Sequence, residues 1–232
     1  MWGRMAAGLR GRLDHVLDTV RAVGARGVLS EMPRWVVRRE FIVLDGDLRD
    51  AQSPPGRPPA DLRLALLTPA DVPSLAELHP MMSHQEVHRR WRESQECIVG
   101  WVGAAPVYYR WDCAGPAYLG YVRKTFQPPP LTVLTLDVRT HPRFQGQRIG
   151  VFGADFANRL SLERGYRRRL GLVARWNRHV LRYNRAIGAS VRGTVGYWHT
   201  IVRRVYFATG DVRIEGDTIG LGPAVGEGLR TP

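Results

Sequence analysis

The stretch Thr140-His-Pro-Arg-Phe-Gln-Gly-Gln-Arg-Ile-Gly150 decides how this chain reads. The largely apolar segment Leu131–Val138 leads into it with the look of a strand. Ile149, Phe152, Phe156 and Leu160 leave it at helical spacing, and Gly165 ends that helix. A strand, a tight glycine-containing turn and a helix start make an anion cradle. Backbone N–H groups converge there, the helix N-terminus adds partial positive charge, and a glycine lets a phosphate come close. Gln145, Gly146, Gln147, Arg148, Ile149 and Gly150 are therefore candidates for holding a diphosphate. Arg148 has two readings: a guanidinium bonding that diphosphate, or a solvated arginine on a tolerant loop.

A second segment, Asn177-Arg-His-Val-Leu-Arg-Tyr-Asn-Arg-Ala-Ile-Gly188, follows a buried-strand pattern at Leu170, Leu172 and Ala174. Val180, Tyr183, Asn184 and Ile187 form one helical stripe, and Asn177 is placed to cap it. Together the two segments resemble the GNAT acetyltransferase superfamily. Its acyl-coenzyme A loop has Gln or Arg, two residues, Gly, one residue, then Gly or Ala. Gln145 to Gly150 follows that form, with His141-Pro142 at the customary distance before it. Arg148 stands where the central glycine is usual. The family's "Asn … Tyr … Gly-Phe" segment matches in spacing, but Asn184 replaces the tyrosine and Ala189 the phenylalanine. The resemblance covers roughly residues 61–208.

The resemblance implies an α/β (α+β) fold: a mixed, mostly antiparallel central sheet flanked by helices. It implies an acyl-CoA-dependent N-acetyltransferase that moves acetyl from acetyl-CoA, or another acyl group from its own thioester, to an amine-bearing acceptor by direct attack. The main chain of Val138, Arg139 and Thr140 would bond the pantetheine, Gln145–Gly150 the diphosphate, and Asn177 would lie beside the cofactor. Members often keep a carboxylate on the strand before the loop to receive the amine proton. Asp137 fits that role if burial raises its basicity, and it also fits a structural aspartate bonding a nearby loop. The tyrosine that meets the departing thiolate is absent at Asn184. Its amide can donate a hydrogen bond, while the adjacent Tyr183 is either a substitute acid or core.

Composition bounds the alternatives. The 232 residues suffice for one well-buried domain with extensions, and no apolar run approaches a membrane span. No secretory signal is expected, since charges interrupt the N-terminal residues throughout. Cys97 and Cys113 lack metal-type spacing and read as reduced core residues in a cytoplasmic protein. No metal is expected. Between Arg139 and Arg204 stand fifteen arginines against two acids, which equals the whole chain's net charge of +13. An anionic partner explains part of that excess, and a general use of arginine explains the rest, Lys124 being the only lysine. Nucleic acid is not an expected partner.

Along the chain, residues 1–44 read as an N-terminal amphipathic helix followed by a short strand. Met5, Leu9, Leu13, Val16, Leu17, Val20 and Val23 make its apolar stripe, and Phe41–Leu44 the strand. Residues 1–23 could dock on the domain, on a second copy of the chain, or on a membrane surface. Residues 45–60, with Pro54-Pro-Gly-Arg-Pro-Pro59, read as a linker. Residues 61–208 read as the acyltransferase-like domain and 209–232 as a flexible tail. A non-catalytic acyl-CoA-binding or membrane-peripheral module on the same fold is the competing function. A Rossmann enzyme is disfavoured because no complete Gly-x-Gly-x-x-Gly is present.

Overall fold

The apolar run Phe41–Leu44 becomes the middle of an 11-residue strand, β1 (Val37–Asp47). The computed structural model describes residues 37–50, 56–79, 82–199 and 203–222. Glu40 to Asp45 are buried without a break, the pattern of a strand covered on both faces. β1 pairs antiparallel with β8 (Arg168–Ala174) on one side and with β9 (Ser190–His199) on the other. Its two buried carboxylates are met by arginines from β1 itself and from the neighbouring chain segments. Glu40 takes Arg175 at 2.6 Å and Arg38 at 2.8 Å, while Asp45 takes Arg168 and, at 3.3 Å, Arg192. A buried carboxylate is tolerable only when compensated in this way.

The remaining strands of this sheet are β2 (Leu62–Leu66), β3 (Gln95–Val102), β4 (Ala105–Cys113), β7 (Thr132–Thr140) and β10 (Arg204–Gly210). The order is β10-β9-β1-β8-β7-β4-β3-β2, antiparallel throughout except for β7 beside β8. A four-stranded sheet joins β5 (Ala117–Leu119), β6 (Lys124–Phe126), β11 (Val212–Glu215) and β12 (Thr218–Leu221). Four α-helices lie among the described residues: α1 (Val72–Leu78), α2 (His84–Arg92), α3 (Ile149–Glu163) and α4 (Arg178–Ala186).

Helices α1 and α2 bury Leu75, Leu78 and Val87 against Trp101, Tyr109 and Trp111 on one face of the large sheet. Helix α3 covers the opposite face through Ile149 and Ala157 against Ile98, Val107 and Tyr108. It can approach closely because residue 153 is glycine: a Cβ there would lie 2.3 Å from the Tyr108 ring. Helix α4 seats Leu181 against Ile42 and Leu44.

Two sequence expectations are corrected here. The strand does not stop at Leu44 before a linker. It runs on to Asp47, because ion pairing makes Asp45 a buried strand residue, and it lies inside the sheet. The tail expected to be flexible from 209 contains the end of β10 and both β11 and β12. Val212 and Ile219 sit in one core with Phe126, Leu134 and Val195. Runs of four residues are too short to carry a readable period. The amphipathic helix expected within residues 1–23 lies outside the described residues.

Candidate active site

Strands β7 and β8 share a parallel ladder only from Thr132↔Arg168 to Thr135↔Gly171. Beyond that rung they follow different neighbours. β8 stays with β1 as far as Ala174, while β7 stays with β4 as far as Thr140. The register between β4 and β7 shifts between Trp111↔Asp137 and Asp112↔Thr135, leaving Leu136 as a bulge. A bulge sharpens local twist and turns a strand away from its old partner. The edge of β7 facing β8 is thus without a strand partner from Leu136 onward. A cleft of about 730 Å³ opens there, walled by α3 and α4.

The loop Gln145–Gly150 stands at the mouth of that cleft. Gly146 has φ +82 with open space where a Cβ would be, and Arg148 has φ +64 immediately before the helix. An ordinary side chain at a left-handed position is strained by about 1–2 kcal/mol, which explains why a glycine is expected there. The Arg148 guanidinium lies 5.6 Å from the Phe152 ring. His141 shapes the turn before the loop, its Nδ1 accepting from the Arg143 N–H at 3.2 Å. The first turn of α3 has N–H groups with no intrahelical acceptor. An open glycine, free helix N–H groups and an unpaired strand edge leading inward together suit a diphosphate carrying an extended amide-containing arm.

No protein-family model and no curated protein matches the sequence. Solved structures do match. A GCN5-related glucosamine N-acetyltransferase region within a fungal multi-domain GH3 β-N-acetylglucosaminidase superposes with a TM-score of 0.52 at 14% identity, over 75% of this chain and 23% of that one. The fold is the GNAT fold. A GCN5-related N-acetyltransferase from Kribbella flavida gives a TM-score of 0.49 at 14% identity, covering 77% of this chain and 64% of that one. A functionally unknown conserved protein from Staphylococcus epidermidis gives 0.48 at 10% identity, covering 73% and 64%. The chain therefore spans less than two thirds of the length of these structures.

In this GNAT frame a second, smaller cavity of about 300 Å³ lies on the α1 side of β7, lined by His79, Tyr109 and Asp137 among others. Asp137, Val138, Thr140 and Gln145 border both spaces. The Tyr109 hydroxyl donates to Asp137 Oδ2 at 3.2 Å, and Arg90 Nη2 lies 3.7 Å from the same oxygen. Burial, and then the Asp137 charge, push the Tyr109 phenol upward, so it stays a donor. The Asp137 side chain is 36% exposed, so the uncharged run before it does not enclose it. The bulge at Leu136 presents it to the cavity rather than to the core.

Tyr183 lines the large cleft, and burial raises its phenol pKa. Asn184 borders the cleft as well, but its Nδ2 donates to the Val180 carbonyl one turn back, at 2.9 Å. Asn177 caps α4, its Oδ1 accepting from the Val180 N–H at 3.3 Å. Sequence reasoning missed His79, Arg110 and Arg169. His79 follows a short helix with no motif of its own. The charge of Arg110 inside the bulky run Tyr108–Trp111 was the available signal, since such a strand position is buried and needs a reason.

Proposed function

We propose that the protein is an acyl-CoA-dependent N-acyltransferase acting on an amine. The observation that carries this reading is the splay of β7 from β8 with the Gln145–Gly150 loop at its mouth. The thioester substrate would lie in the large cleft, with its diphosphate on the loop and its pantetheine along Val138, Arg139 and Thr140. The amine would come through the smaller cavity on the other side of β7. Attack forms the N–C bond as the C–S bond breaks, the amine gives up one proton, and the coenzyme thiolate takes one.

Asp137 is the carboxylate within reach of both spaces and receives the amine proton directly or through water. Tyr109 and Arg90 hold its orientation. Tyr183 meets the thiolate in preference to Asn184, whose amide is engaged with Val180. Its raised pKa keeps the phenol protonated, which suits hydrogen-bond donation to a leaving sulfur. Positioning two reactants across one strand supplies the rest of the rate.

That engaged Asn184 also favours a second reading, a non-catalytic acyl-CoA-binding module. Calorimetric titration with coenzyme A and acetyl-CoA tests the cofactor site, and thiol release in the presence of a panel of amines separates the two readings. Binding without thiol release supports the module. No heat and no thermal shift with either compound removes both.

A further inference from the structure

The deep end of the cleft holds a cation that acyl transfer as such does not use. Arg169 of β8 lines the cleft, and its Nη1 donates to Asn158 Oδ1 at 3.0 Å. No carboxylate among the described residues lies within ion-pair distance of it. Arg110, from β4, lines the same space. Its Nε donates to both Asp112 oxygens at 2.8 Å and its Nη2 to Thr135 Oγ1 at 2.8 Å. The Tyr108 hydroxyl, in a fully buried residue of the same lining, has no hydrogen-bond partner. Among the described residues Asp112 is thus engaged by Arg110, which leaves Arg169 without a carboxylate and the Tyr108 hydroxyl without a partner. Burial, and then the charge of Arg110, pull Arg169 down to about 10. A cation in such a setting is costly until an anion joins it.

Glycines leave room beside Arg169. Gly171, two residues along the strand on the same face, has nothing within 4 Å of where its Cβ would be. Gly46 lies directly across from Arg169 on β1 and also lines the cleft. From Thr140 at the mouth to Thr135 at the last rung the strand runs about 16 Å, comparable to an extended pantetheine arm. A thioester anchored by its diphosphate at Gln145–Gly150 would bring its acyl carbons to Thr135, with Arg169 beyond them.

We propose that the cleft takes the coenzyme A thioester of a dicarboxylic acid, succinyl-CoA being the natural probe, with Arg169 bonding the free carboxylate and Tyr108 adding a second donor. This rests on the cofactor reading above and specifies its acyl group. It replaces acetyl by an acyl chain that ends in an anion.

The test is calorimetric titration of the full chain with coenzyme A, butyryl-CoA and succinyl-CoA. The last two have the same chain length and differ in the terminal carboxylate. Succinyl-CoA should bind at least about tenfold tighter than butyryl-CoA, the scale of one charge-assisted hydrogen bond. Arg169→Met should cut that preference below about threefold and leave coenzyme A affinity as it was, while Arg169→Lys should restore part of it. Gly171→Val should weaken both acyl compounds relative to coenzyme A. Butyryl-CoA binding as well as succinyl-CoA overturns the dicarboxylate and leaves the cofactor site standing, and this comparison needs no variant to fold. A preference that survives Arg169→Met overturns the role of that residue. Failure of all three compounds to bind overturns both readings.

Discussion

Arg168 and Arg169 are consecutive residues of one strand that live in opposite circumstances. Arg168 turns to the seam between β8 and β1, where Asp45 receives it together with Arg192. Arg169 turns to the cleft between β8 and β7, where its side chain finds a neutral amide oxygen. The seam is a closed charge arrangement and the cleft an open one. The arginine excess of this protein is thus two things at once. Part of it is internal mortar for buried acids, and part is an unmet demand for an anion.

The most damaging break of that contrast is on the seam. Asp45→Ala leaves two guanidiniums around a buried position, and urea denaturation should show a loss of about 3 kcal/mol. Arg169→Met should cost less than about 1 kcal/mol in the same measurement, because it removes a cation that has no acid. Equal losses would erase the distinction. The wall of the cleft relies on packing instead. Gly153→Ala forces α3 away from Tyr108 and should destabilise by about 2 kcal/mol through overpacking.

At the mouth, Arg148→Gly relieves a left-handed arginine and should stabilise by about 1 kcal/mol in the same assay. If its guanidinium bonds the diphosphate, coenzyme A affinity falls despite that gain. Unchanged affinity would assign it to solvent.

The smallest effect belongs to the surface of α2. Hydrogen bonds from Arg89 and then Arg90 hold the Glu86 carboxyl down from 4.5 to about 2. A depressed folded-state pKa means that its stabilisation is complete above about 4.5 and fades as the pH falls through about 2. Glu86→Gln should therefore lower stability by less than about 1 kcal/mol at neutral pH, with the gap to wild type closing in acid. A pH-independent gap would mean that Glu86 acts through packing rather than charge.

What the sequence disclosed follows from how much of each feature is local. The cradle could be read because a strand, a glycine turn and a helix start are contiguous from Leu131 to Leu160. The cap at Asn177 is three residues from its partner, and it too was legible. The identity of the strand beside β8 was hidden, because β1 meets β8 and β9 from far away in the chain. The exposure of Asp137 was hidden because the bulge at Leu136 depends on the register with β4, which no single strand records. Arg169 looked like one more member of the basic run Arg167–Arg169, and only the fold separates it from Arg168.

The placement of β1 also bears on how the chain reaches this shape. Asp45 lies 123 residues ahead of Arg168 and 147 ahead of Arg192, the two arginines that make its burial tolerable. The strand is synthesised early and must wait, apolar and unpaired, until β8 and β9 have emerged. Such distant pairing requires closing long loops before any contact compensates for them, which slows folding and prolongs exposure of sticky edges. A protein that places an early strand in the interior of its sheet accepts a late, nearly simultaneous closure. Its vulnerability during synthesis lies in the waiting strand, which also supplies Leu44 and Gly46 to the wall of the cleft in which it is proposed to work.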